Sequence, residues 1–162
     1  MRSGLPPGSV YDGAAAALSA PLRRGCAIAF LCQGDRLFYG SFIEIFTRPA
    51  PRFAVEIVPG VTSPSACAAV AGAPLAAGEE SLTVVPAILD EPAPADRILA
   101  ADAVAIVKRG RHFASGLGLI DDAVYIERAT LPGERVAPFA AVEAAAVSGF
   151  STAIMRRRPR PG

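Results

Sequence analysis

"VEIVPGVTSPSACAAV", Val55 to Val70, decides the fold class. It opens as a short β-branched run, stops at Pro59-Gly60, and continues as small residues suited to a helix lying close against a sheet. Strand, sharp turn and helix in that order form the repeating element of an α/β protein. Thr62, Ser63 and Ser65 fall where the helix begins, so unpaired backbone N–H groups and hydroxyls converge there. A polar ligand would suit such a turn, but on this stretch alone an N-cap before a small-residue helix packed closely on the sheet is the better reading.

The pattern repeats on both sides. Strands are expected at Cys26–Leu31, Phe53–Val58, Ser81–Val85, Ala103–Val107, Ala123–Glu127 and Gly149–Met155. Helices are expected at Asp12–Leu22, Phe38–Arg48, Ser63–Ala71, Ala95–Ala101 and Pro138–Val147. This alternation predicts an α/β fold with mostly parallel pairing, and several near-continuous apolar runs read as strands covered on both faces. "SGFSTAIM", Ser148 to Met155, alternates more and suits an edge or half-exposed strand. A composition shift at "AGAPLAAGEES", Ala71 to Ser81, marks a domain boundary. The expected division is a first domain over 1–72, a linker over 73–81 and a second domain over 82–162.

In "CAIAFLCQGDRLFYGSF", Cys26 to Phe42, an apolar run breaks at Gly34-Asp35 before an aromatic segment. Ligands in parallel sheets bind beyond the carboxyl ends of strands. A glycine there allows close backbone approach, and an aspartate accepts hydrogen bonds from ribose hydroxyls or an ammonium group. On Gly34-Asp35 alone, a plain turn with Asp35 capping the next helix is the better reading. "VAIVKRGRHF" ends another strand in Lys108, Arg109 and Arg111, which either meet an anion or face water.

Composition narrows the function classes. Hydrophobic residues make up 52% and charged residues 19%, enough apolar content for a core and unlike a disordered chain. Sixteen Lys+Arg against fifteen Asp+Glu leave a net charge of +1, which argues against nucleic acid as partner. His112 is the only histidine, so neither a histidine triad nor a multi-histidine metal site is expected, and no metal is assigned. Cys26, Cys32 and Cys67 lack C-x-x-C spacing and sit among small or apolar residues, which reads as buried free thiols in a reducing compartment. With no leader-like segment and no run near the ~18 apolar residues of a span, a cytoplasmic protein without membrane contact is expected.

Taken in order, five stretches resemble the tetrapyrrole (corrin/porphyrin) methyltransferases, most closely the precorrin-2 C20-methyltransferases of cobalamin biosynthesis. They are "AFLCQGDRLFYGSF" (29–42), "RFAVEIVPGVTSPSACAAVAGAPLA" (52–76), "LTVVPA" (82–87), "AIVKRGRHF" (105–113) and "AVYIERATLPGERV" (123–136). The resemblance implies a two-domain α/β fold with an incomplete first domain, S-adenosylmethionine as methyl donor, and a homodimer. It also implies that Gly34, Asp35, Phe38, Thr62, Ser63, Lys108, Ala129 and Thr130 hold the donor. Arg109, Arg111 and Arg128 are the candidates for the carboxylates of a precorrin-2 or cobalt-precorrin-2 substrate, since guanidinium forks match carboxylates. The resemblance names no general base.

The departures are specific. The family's opening strand and Gly-x-Gly-Pro-Gly-Asp loop have no counterpart here, Arg36 stands where proline is usual, and Gln33 stands where glutamate is common. A truncated first domain is therefore expected, with the donor motifs kept and the substrate floor lost. Beside C20 methylation stand two alternatives: a sister enzyme acting at another ring position, and a non-catalytic remnant.

Overall fold

The computed structural model describes residues 7–48, 53–86, 93–107, 122–143 and 147–156. Contacts divide the chain into two compact units, Met1–Thr62 and Ser63–Gly162.

The second unit is built on a five-stranded sheet. Its strands are β1 (Leu82–Pro86), β2 (Ala103–Val107), β3 (Val124–Glu127), β4 (Arg135–Pro138) and β5 (Ser151–Arg156). Their order across the sheet is β1-β2-β5-β3-β4. Only β1 and β2 are parallel, in register from Leu82 opposite Ala103 to Pro86 opposite Val107. The other three pairings, β2–β5, β3–β5 and β3–β4, are antiparallel. The expectation of mostly parallel pairing is thus corrected. One βαβ crossover supplies the parallel pair, and the β3–β4 hairpin with the returning β5 supplies the rest.

Period-two alternation sorts the side chains onto two faces. Val85, Val104, Ile106, Tyr125 and Ala153 point to one, where Ile98, Phe139 and Val142 cover them. Ala105, Ile126 and Ile154 point to the other, beneath Cys67 and Ala68. These last two belong to helix α3 (Ser63–Ala71). α3 has the bounds the sequence predicts, and its packing on β5, β3 and β2 draws it into the second unit. The division at Thr62–Ser63 therefore falls earlier than the composition shift. α3 ends in a Schellman motif: Gly72 has φ +64°, its N–H bonds the Ala69 carbonyl at 3.2 Å, and the Ala73 N–H bonds the Ala68 carbonyl at 3.1 Å.

Helix α4 (Ala93–Ala100) crosses between β1 and β2 and packs on β1. The expected helix over Pro138–Val147 is replaced by β4's end and a 3-10 turn at Phe139–Ala141, with 144–146 outside the described residues. Proline at 138 lacks the donor a helix interior needs, but closes an edge strand without loss. Nor is β5 an edge strand: it lies between β2 and β3, and Ser151 to Ile154 are all buried. Its hydroxylated side chains suggested exposure, yet α3 packs over one face of β5 and the Ser151 hydroxyl donates to the Ser148 carbonyl.

Among the described residues the first unit has two helices, α1 (Pro7–Arg23) and α2 (Phe42–Phe46). α1 covers the expected 12–22 and also ends in a Schellman motif, with Gly25 at φ +81° and the Cys26 N–H bonding the Pro21 carbonyl at 3.2 Å. α2 is far shorter than the expected Phe38–Arg48, because Tyr39 takes φ +56° and turns the chain before the helix can start. Arg48 joins the two helices. Its Nε lies 2.6 Å from Asp12 Oδ1, its Nη2 donates to the Gly8 carbonyl, its Nη1 to the Glu44 carbonyl, and the guanidinium covers the Tyr11 ring.

Neither Cys26–Leu31 nor Phe53–Val58 is a strand. Both runs are extended, and neither forms a ladder among the described residues; Leu31 is 91% and Val58 62% exposed. An apolar run becomes a strand only when a neighbour supplies the matching backbone groups. All three cysteines are free thiols, but only Cys67 is buried; Cys26 is exposed, for it follows the exposed end of α1. Among the described residues no helix is long and apolar enough to cross a membrane.

Candidate functional site

The first unit's sharpest geometry lies where two turns meet. Gly34 has φ +72°, a conformation that favours glycine. Asp35 comes next and uses both carboxylate oxygens on backbone. Its Oδ1 accepts the Leu37 N–H at 2.9 Å, which closes an Asx-turn, and its Oδ2 accepts the Gly60 N–H at 2.9 Å. These amides, Gly60 first and then Leu37, hold the carboxyl below the usual aspartate range. Asp35 is thus ionised at neutral pH and only half-buried.

The two turns touch through backbone. A Cβ on Gly60 would stand 2.6 Å from the Gly34 carbonyl oxygen and 3.0 Å from Asp35 Cα, closer than real Cβ atoms come. Arg36 adds a second fastening, its Nη1 donating to the Val58 carbonyl, while its Nε is buried without a partner. The runs ending at Leu31 and Val58 are not strands, and the turns that follow them are joined instead by side-chain bonds, Asp35 to Gly60 and Arg36 to Val58. Phe38 stacks edge-on against Tyr39, centroids 5.0 Å apart, just beyond the Asx-turn.

From Gly60 the chain runs through Thr62 into α3. Ser63 is exposed at the helix start, and Pro64 is buried beneath it at a first-turn position that tolerates a missing N–H. Ala129 and Thr130 lie in the second unit, in the loop between β3 and β4. Ala129 packs against the α3 face of the core, and Thr130 is exposed with φ +64°, its N–H donating to Glu134 Oε2 at 2.7 Å. Arg128 shares this loop at φ +50°; its Nη1 reaches the Pro132 carbonyl at 3.4 Å, and its own N–H bonds the Phe150 carbonyl. Lys108, Arg109, Arg111 and His112 lie outside the described residues.

The site residues thus fall into two groups: Gly34, Asp35, Phe38 and Thr62 around the interlocked turns, and Arg128, Ala129 and Thr130 on the β3–β4 loop. Within the first unit, the ionised Asp35 carboxylate beside the left-handed turn at Gly34 offers acceptor capacity that suits a hydroxyl-bearing or cationic ligand. Sequence reasoning saw Arg36 only as a departure from proline, although its neighbour Asp35 engages the same turn. The signal available was a charged pair directly after Gly34.

Comparison with known proteins identifies the lineage. Residues 5–145 match the family described as Tetrapyrrole (Corrin/Porphyrin) Methylases. The cobalamin biosynthesis protein CobIJ of Mycobacterium tuberculosis is 41% identical over 91% of this chain, which covers 31% of that protein. A precorrin-2 C(20)-methyltransferase of Sinorhizobium is 39% identical over 75% of the chain and 52% of its own length. A cobalt-precorrin-2 C(20)-methyltransferase of Salmonella typhimurium is 34% identical over 78% and 56%. The chain therefore spans between about a third and about half of these relatives. Among solved structures, the methyltransferase CobJ superposes with a TM-score of 0.65 at 16% identity, over 91% of this chain and 72% of that one. The uroporphyrin-III C-methyltransferase of Thermus thermophilus, solved with S-adenosylhomocysteine, superposes with 0.57 at 22% identity, over 88% and 71%. With its α/β sheet and with most of its length matched, this chain belongs to the tetrapyrrole methylase family.

Proposed function

We propose that the protein takes part in S-adenosylmethionine-dependent methyl transfer to C20 of precorrin-2, or of cobalt-precorrin-2, in cobalamin biosynthesis. The observation that carries this reading is the 39% and 34% identity to relatives named for that position. S-adenosylmethionine supplies a sulfonium methyl already activated for transfer to an electron-rich ring carbon. What remains for the protein is positioning; the proton lost as the ring carbon is methylated must also leave, and no residue is assigned as its acceptor. Gly34, Asp35, Phe38, Thr62 and Ser63, with Lys108, Ala129 and Thr130, would hold the donor. Asp35, kept ionised by two amides, suits its cationic or hydroxyl-bearing parts. Arg109, Arg111 and Arg128 would meet the carboxylates of the macrocycle. In this reading the chain is a cytoplasmic homodimer, with 1–72 in the first domain, 73–81 a linker and 82–162 the second domain.

Two other readings have support of their own. A sister enzyme acting at another ring position is favoured by structural neighbours whose names refer to cobalt-precorrin-4 and uroporphyrin-III. A non-catalytic remnant is favoured by the exposed apolar runs of the first unit. One experiment separates all three: calorimetric titration with S-adenosylmethionine beside single-turnover assays on precorrin-2 and on later intermediates. Label transferred to C20 supports the leading reading. Transfer elsewhere supports the sister enzyme, and binding without transfer supports the remnant.

A further inference from the structure

Gly34-Asp35-Arg36 and Val58-Pro59-Gly60 meet with complementary polarity. One turn presents a carboxylate and a guanidinium on adjacent residues; the other presents an N–H at Gly60 and a carbonyl at Val58. The two side chains therefore do what a rung of β-ladder does, one accepting and one donating across the gap. This matters because the runs leading into both turns form no ladder among the described residues. Contact at the Gly34 carbonyl leaves Gly60 no room for a side chain, so the turns are held at backbone distance. Arg36 also keeps its Nε buried and unpartnered while its Nη1 reaches Val58. A guanidinium released into water would hydrate every N–H, so its pose marks a constraint set by the two turns together.

We propose that Asp35 and Arg36 act as a two-sided latch that positions the donor-binding turns, with Arg36 a positioning residue that never touches the donor. The proposal rests on the donor-site reading above and deepens it. Each Asp35 oxygen already accepts one backbone N–H, from Leu37 or Gly60, and keeps acceptor capacity for a ligand, so Asp35 acts both directly and through the Gly60 turn.

The test uses the full chain with two separate readouts: exchange of the Gly60 amide, and calorimetric titration with S-adenosylmethionine. Arg36→Gln and Asp35→Asn keep side-chain size, which guards against simple misfolding; Arg36→Lys restores a charge. Arg97→Ala, on the exposed side of α4, is the control. Each latch variant should speed Gly60 exchange and weaken donor binding by roughly three- to tenfold. The double variant should be no worse than about the weaker single, because the two bonds fasten one element. Arg36→Lys should recover part of the loss, and Arg97→Ala should change neither readout. Gly60 exchange, corrected for its intrinsic pH dependence, should quicken only in the acid range where Asp35 protonates, below the usual aspartate range. Unchanged Gly60 exchange in Arg36→Gln overturns the latch, and so does strict additivity in the double variant. Absence of donor binding by the wild-type chain overturns the donor-site reading instead, and Gly60 exchange then still decides whether the turns are latched.

Discussion

Cys26–Leu31 and β2 are nearly the same sequence in physical terms. One reads CAIAFL and the other AVAIV, both short, apolar and uncharged. Ala103 to Val107 are all buried, flanked by β1 and β5 with a helix over each face. In the first unit Ile28 and Phe30 are 38% and 39% exposed, and no strand forms. The contrast extends to each unit as a whole. Ala15 is the one buried hydrophobic residue of the first unit among the described residues, while the remaining buried hydrophobics fall in the second. Apolar content alone does not make a strand; partners for the backbone and cover for both faces do.

The units are accordingly fastened by different forces. The second is held by area: two layers of apolar side chains on one sheet, plus polar bonds such as the Tyr125 hydroxyl donating to Glu127 Oε2 at 3.2 Å. The first is held by a few directed contacts: Arg48 between its helices, Phe42 between Phe30 and Phe46, and Asp35 with Arg36 between its turns. Directed contacts fix geometry well, yet each contributes only about 0.5–3 kcal/mol net. A unit built from them should open locally long before one built on a core.

Amide exchange exposes the largest difference. Amides of β2 and β5 should exchange only through global unfolding, which for a domain lies about 5 kcal/mol or more above the native state, whereas those of 27–31 and 53–57 should exchange near the unfolded rate. Equal protection in the two sets would break the comparison. Core truncation comes next. Phe139→Ala, at a site 1% exposed, should cost about 3–5 kcal/mol in a denaturant midpoint assay. Phe46→Ala, at 49% exposure, should cost under about 1 kcal/mol. A first-unit cost equal to the second would mean that a core is hidden there. Gly60→Ala then sharpens the picture inside the first unit. Its new methyl meets the Gly34 carbonyl, so about 1–3 kcal/mol of local stability should be lost, read as faster exchange at Leu37 and Gly60 with β5 unaffected.

Legibility followed the same divide. α3, β2 and the cores of β1 and β3 were readable because short-range pattern and tertiary context agree there. β4 was missed because Arg135 to Pro138 is mostly exposed and owes its strand to pairing with β3, which no local pattern records. β5 was misplaced because Ser151 and Thr152 look like surface residues, yet both are buried. At the site, Gly34-Asp35 and Pro59-Gly60 were visible as separate turns. That they grip each other is a contact across 25 positions, and local sequence does not encode it.

The smallest expected effect lies in the second unit, at a place where it too relies on a directed contact. Glu80 takes Arg156 in a two-bond grip, Nε to Oε2 at 2.7 Å and Nη2 to Oε1 at 2.9 Å, and its Oε2 also accepts the Ala77 N–H. Arg156 first, and then that amide, hold the Glu80 carboxyl below its usual range. A group with a depressed folded pKa stabilises above its unfolded value, and the contribution fades as pH falls through the folded one. The unfolded value is about 4.3, so the bridge should be fully present at pH 6 and weaken only in the acid limb below about pH 4. Glu80→Gln should lower the melting temperature slightly at pH 6 and converge with wild type near pH 3. Arg156 ends the central strand β5, while Glu80 belongs to the turn leading into edge strand β1. The bridge thus ties an edge of the sheet to its middle, and its loss should fray β1 amides before those of β2. A variant that stays below wild type by the same margin from pH 7 to pH 3 would show that Glu80 matters through the Ala77 turn and not through its charge.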